Sequence, residues 1–83
     1  MKHSNQKILT NFLNGIIKIV SEGSSEDYAV MVLMKFNKKN IKYFPFVKYL
    51  SKDSKKIIVD QKINSIDSRL VARFINKLIN SLF

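Results

Sequence analysis

The segment KIIVDQKINSIDSRLVARFINKLINSLF, residues 56–83, decides the fold. Its first part is β-branched. Ile57, Val59 and Ile63 alternate with Ile58, Asp60 and Lys62, the period-2 signature of a strand with one buried face, so a strand is expected over 56–63. Its second part changes period. Leu70, Val71, Phe74, Ile75, Leu78, Ile79 and Leu82 recur at spacings of one, three and four, which predicts an amphipathic helix over 66–82. Ser65 or Asp67 is placed to cap it. Five of these apolar side chains, Leu70, Val71, Phe74, Ile75 and Leu78, are expected to pack on the strand and on the first helix, with Ala72 offering a close approach. Arg69, Arg73 and Lys77 are spaced by four and form a cationic stripe opposite the apolar one.

Upstream of this segment the chain reads as helical. Ile8, Leu9, Phe12, Leu13, Ile16, Ile17 and Val20 form one face of a helix over 4–21. Gly23 stands where a left-handed C-terminal cap belongs. Ser24 and Ser25 offer N-caps for a second helix over 25–38, with Glu26 and Asp27 in its first turn complementing the helix dipole. Residues Tyr28 to Met34 are apolar on every side, so the stretch is either a helix buried on most faces or a strand; the caps favour the helix. Pro45 can start a short third helix over 45–51, with Phe46, Val47, Tyr49 and Leu50 on its apolar side, and Lys52–Lys55 make a polar turn. The expected architecture is α+β and predominantly helical, about four helices with one short strand, in a single domain spanning 1–83.

Eighty-three residues give a core that is marginal by itself, because a chain of this length buries only about 60% of its unfolded surface. With no cysteine, disulfides and thiolate metal sites are excluded. Two glycines leave no room for a Gly-rich nucleotide loop. His3, the single histidine, lies near a terminus and reads as incidental, and no acidic pair has metal-site or general acid–base spacing. Serines abound without a partner base. A protein that is not an enzyme, with no cofactor and no small-molecule substrate, is expected. The apolar run from Ile8 to Val20 is broken by Asn11, Asn14 and Lys18 and is shorter than the ~20 residues a membrane span needs, so no span is expected.

The charge points to a partner. The net charge is +9, and it is unevenly placed. Residues 1–34 are neutral, with Lys2, Lys7 and Lys18 balancing Glu22, Glu26 and Asp27. Residues 35–62 hold nine lysines against Asp53 and Asp60. This asymmetry favours a polyanion, usually nucleic acid. The candidate RNA-binding residues are Lys38, Lys39, Lys42, Lys55, Lys56, Lys62, Arg69, Arg73 and Lys77. Phe36, Tyr43, Phe44, Phe46 and Tyr49 are interleaved with lysines, and two readings of them are open. The rings can stack on unpaired bases while lysines hold phosphates, or they can form the core with lysines at its rim. Composition adds a hint of origin. Lys, Asn and Ile, whose codons are AT-rich, supply 32 residues, whereas Ala, Gly, Pro and Arg supply 7. The gene is expected in an organelle, a phage or a low-GC bacterium.

The order of a strand at Lys56–Ile63 and then Asp67-Ser-Arg-Leu70-Val71-Ala72-Arg-Phe-Ile75-Asn-Lys-Leu78 resembles the last strand and helix of the KH domain in the third universal small-subunit ribosomal protein family. That family has an acid, then Leu-Val-Ala, then Ile, in this order, and its mitochondrial branch is similarly rich in Lys, Ile and Asn. The resemblance covers about a quarter of the chain. It implies a degenerate KH-like domain that binds ribosomal RNA and other small-subunit ribosomal proteins, encoded and located in the mitochondrion. Gly15 and Gly23 do not form the family's Gly-x-x-Gly loop. The family continues into a further domain, so the chain is open to being one fragment of a split protein. The run Ser68–Leu78 is also similar to the first helix of the seventh small-subunit family, the second choice. The rival classes are a small basic nucleic-acid-binding regulator of a phage or low-GC bacterium, and an accessory subunit of an organellar membrane complex.

Overall fold

A computed structural model describes residues 4–83, so Lys2 and His3 lie outside the described residues. The chain is mostly helical, an α+β fold in the order α1 (Asn5–Ser21), α2 (Glu26–Lys39), a 3-10 turn (Pro45–Tyr49), β1 (Leu50–Asp53), β2 (Lys56–Val59), a second 3-10 turn (Gln61–Ser65) and α3 (Ser68–Leu82). The three α-helices start where local chemistry stops extended chain. Ser4 Oγ accepts the Lys7 N–H, Ser25 Oγ accepts the Tyr28 N–H, and Asp67 accepts the Arg69 N–H, each satisfying an amide that has no partner within its helix. Of the two caps considered for the last helix, Asp67 is the one used.

Several expectations are corrected. The helix expected over 45–51 is a five-residue 3-10 turn that ends where Leu50 becomes extended. The apolar spacing of Phe46, Val47 and Leu50 suits a helix, but Leu50 is needed opposite Val59 in the hairpin, and the Asp60 N–H reaches Tyr49 O at 2.9 Å to extend that ladder. The stretch read as a polar turn contributes strand β1, and only Ser54 and Lys55 turn. Conversely, the strand expected over 56–63 stops at Val59. A buried strand would want an apolar residue at 61; Gln61 stands there instead, Asp60 Oδ1 caps the next turn through the Lys62 N–H, and Ile63 reaches the core from the 3-10 turn. Gly23 is not a left-handed cap: no glycine among the described residues has a positive φ, and α1 ends with the Glu22 N–H on Ile19 O. Helix α2 is not buried on most faces. It buries Ala29, Val30, Leu33 and Asn37 and leaves Tyr28 and Met31 half exposed.

Two features hold the layers together. α1 packs on α2 and lies along β2, and its amides close the edge of that strand. Asn14 donates from Nδ2 to Ile57 O (3.2 Å) and accepts the Ile57 N–H on Oδ1 (3.1 Å), while Gln6 Nε2 donates to Val59 O (2.9 Å). Asn14 therefore behaves as a one-residue third strand. It broke the apolar run in the sequence because its place is on a sheet edge, where unpaired backbone groups would otherwise be left. Asn5 extends the seam, donating to Ile63 O and Ile66 O. The second feature is aromatic. Phe74 of α3 is fully buried, with its ring centroid 5.8 Å from Phe36, 5.5 Å from Phe44 and 5.4 Å from Phe46, all tilted or edge-on. So α3 plugs into α2 and the Pro45–Tyr49 turn, which the expected docking on β2 and α1 did not foresee. Val71 and Leu78 are buried with Phe74, whereas Leu70 and Ile75 are half-buried and Ala72 is exposed, offering no close approach.

Candidate nucleic-acid interface

The cationic stripe of α3 is where its spacing puts it. Arg69, Arg73 and Lys77 are all exposed, on the side away from Val71, Phe74 and Leu78. Their surroundings differ. Arg69 is folded back onto the helix cap: Asp67 Oδ2 accepts its Nη2 at 2.9 Å, and Oδ1 accepts both its backbone N–H and its Nε. These bonds hold the Asp67 carboxyl below its usual range and push the Arg69 guanidinium up. This is the sole ion pair among the described residues. Arg73 and Lys77 make none, so their charge is available to an outside anion.

Lys77 has a different neighbour. Its Nζ sits 4.4 Å from the centroid of the Tyr43 ring, a cation–π geometry. Tyr43 is 67% exposed, which sets it apart from the aromatics around it. The turn between α2 and the 3-10 segment explains why. Buried Asn40 donates from Nδ2 to Phe36 O, and its own carbonyl accepts the N–H groups of both Tyr43 and Phe44. That double acceptance tightens the chain so that Phe44 turns inward to Phe46 and Phe74 and Tyr43 turns out beside the end of α3. Lys42 precedes it, also exposed.

The two open readings of the aromatics therefore divide by residue. Phe44 and Phe46 are buried core rings against Phe74 and cannot stack on bases, and half-buried Phe36 packs against Phe74 from α2. Tyr43 is open, and Tyr49 is half-buried with Lys48 Nζ 5.4 Å from its ring.

The nine candidate cations do not converge on one site. Lys77 adjoins Tyr43, Arg73 lies one turn before it on the same helix face, and Arg69 is engaged by Asp67. Lys38 lines a cleft with Lys35, Lys52, Met31 and Met34. Lys55 and Lys56, at the tip of the hairpin, adjoin Lys18 and Glu26. Lys62 lies with Lys48, Tyr49 and Ile58 on the outer face of the hairpin. Lys39 and Lys42 are exposed at the end of α2 and in the following turn. Sequence reasoning missed the Tyr43–Lys77 pair, which joins positions 34 residues apart and leaves no local signal. Lys35, Lys48 and Lys52 are outside the nine candidates; Lys35 and Lys52 lie beside Lys38, and Lys48 beside Lys62.

Among the described residues no three histidine or acidic side chains gather as a metal could require, and no helix is long and apolar enough to cross a membrane. Comparison with protein-family models, with curated proteins and with solved structures finds no match.

Proposed function

We propose that this chain is a non-catalytic structural component of an organellar, mitochondrial small ribosomal subunit, binding ribosomal RNA and neighbouring ribosomal proteins. The observation that carries the RNA part is the exposed Tyr43 ring held against Lys77, one turn from Arg73 on the same helix face. Arg73 and Lys77 bind successive phosphates, and the open face of Tyr43 takes an unpaired base. Arg69 joins only by exchanging Asp67 for phosphate. The ribosomal part comes from the resemblance of residues 56–78 to the third small-subunit family, and the degenerate KH reading rests on the order β2 then α3. With no Gly-x-x-Gly loop, α3 takes over phosphate contact in this reading.

Co-sedimentation of the tagged chain with ribosomal particles, with and without RNase, tests the assignment. The expected result is recovery with the small subunit that is lost after RNase. Recovery with DNA or with a membrane fraction, and none with ribosomes, would refute it in favour of the regulator or the membrane-complex subunit. On its RNA, the log of affinity should fall with the log of salt by several units, because several phosphates release counterions.

A further inference from the structure

A second surface lies away from the α3 stripe and has a different chemistry. Met31, Met34, Lys35 and Lys38 fall along one side of α2, and with Lys52 of β1 they line a cleft of about 250 Å³. Met31 is 44% exposed, and no acidic residue is among the lining side chains. The floor is therefore thioether and methylene, the rim three ammonium groups.

The cleft also has a backbone wall. In an antiparallel pair, alternate residues point their N–H and C=O toward the partner strand and away from it. Ile57 points away from β1, since both its backbone groups bond Asn14. Lys52 is the residue opposite Ile57, so its N–H and C=O point away from β2 on the other side. The two edges of this sheet thus differ: α1 amides close the β2 edge, while the β1 edge presents Lys52 N–H and C=O beside the cleft. The Leu50 N–H is already used by Val47 O.

We propose that this cleft docks an extended acidic segment of a partner protein, which adds a strand to β1 and places one long apolar side chain between Met31 and Met34. Backbone pairing supplies register, the flexible methionines fit the inserted side chain, and Lys35, Lys38 and Lys52 pair with carboxylates flanking it. A second copy of the chain does not fit, since its β1 edge would bring like charges together at Lys52. RNA fits less well than peptide, because the floor has no flat ring for a base and the wall offers alternating donor and acceptor groups. The proposal does not rest on the RNA reading of α3.

The test uses the full chain and a fluorescent octapeptide with Glu two residues before and two residues after a central Leu, on the same strand face, and Thr at the alternate positions. Anisotropy gives affinity, and amide NMR shifts give the site. The expected result is saturable binding with shifts over Met31–Lys38 and Leu50–Asp53. N-methylation of alternate peptide amides, which keeps charge and side chains but removes strand pairing, should weaken binding roughly tenfold, the worth of one or two hydrogen bonds. Met31→Glu should weaken it at least as much, and Arg73→Ala should leave it unchanged. No binding, or binding indifferent to N-methylation, overturns the proposal. So does a single-stranded oligonucleotide that shifts these same amides more strongly than the peptide, since the cleft would then be part of an RNA surface. Because Met31 is half exposed and Arg73 is outside the core, both variants keep the fold, and their amide spectra report it directly.

Discussion

Truncating Phe74 to alanine tests the central packing argument. The side chain is fully buried and is the largest that α3 contributes to the core, meeting three other rings at centroid separations of 5.4–5.8 Å. A buried Phe→Ala change costs about 3–5 kcal/mol, the transfer free energy of the ring plus the cavity left behind. Each tilted aromatic pair adds about 0.5–1.5 kcal/mol beyond area burial, which puts this site at the upper end of that range. An 83-residue domain has in total about 4–12 kcal/mol of stability at ~0.05–0.15 kcal/mol per residue. Phe74→Ala should therefore remove at least a third of the stability and leave the weaker end of that range unfolded. Urea titration followed by far-ultraviolet circular dichroism measures it. With a slope of about 1 kcal/mol per molar, the midpoint should fall by about 3 M or more, or the variant should be unfolded without urea. Phe74→Leu, which keeps most of the volume, should cost no more than about 1–2 kcal/mol. A Phe74→Ala cost below about 1 kcal/mol would refute the claim that the ring cluster anchors α3.

Three further outcomes follow from particular side chains. Asn14→Asp keeps the acceptor for the Ile57 N–H but turns the donor toward Thr10 O and Ile57 O into a second oxygen; it should destabilise the fold by about 2–3 kcal/mol in the same titration, more than Asn14→Ala at neutral pH. Ser54, with φ of 59°, is the sole non-glycine residue with positive φ among the described residues, so Ser54→Gly should raise the urea midpoint by the equivalent of about 1 kcal/mol, and a decrease would show that the hairpin tip needs the Ser side chain. Arg73→Ala should leave stability within about 0.5 kcal/mol while lowering the RNA salt slope by about one unit, the share of a single neutralised phosphate; unfolding, or an unchanged slope, would remove Arg73 from the interface.

The aromatic cluster and the cationic stripe illustrate how differently the two kinds of information reach the sequence. The α3 stripe was legible because a helix converts spacing directly into direction: residues four apart share a face whatever else the chain does. The same held for the helix starts at Ser25 and at Asp67, each one of two caps the sequence offers, whose side chains bond amides two or three residues away. These interactions close within one turn, and so local residue order suffices to specify them.

What the residue order left open was every feature whose partner lies far along the chain. Leu50–Asp53 shows no apolar alternation, and becomes a strand because β2 pairs with it and α1 closes the other side of β2. Asn14 looked like a break in a hydrophobic face and is instead a hydrogen-bonding edge for Ile57, 43 residues away. Phe44 and Tyr43 are neighbouring rings of similar size; a buried Asn40 and the distant Phe74 decide that one faces the core and the other faces Lys77. Local chemistry sets where α2 and α3 begin and which face each helix presents, but not that the helical pattern at 45–51 gives way to a 3-10 turn and a strand. Which aromatic is core, which amide is structural and which lysine stands near an exposed ring depend on long-range contacts, formed where burial and unpaired backbone groups outweigh local preference.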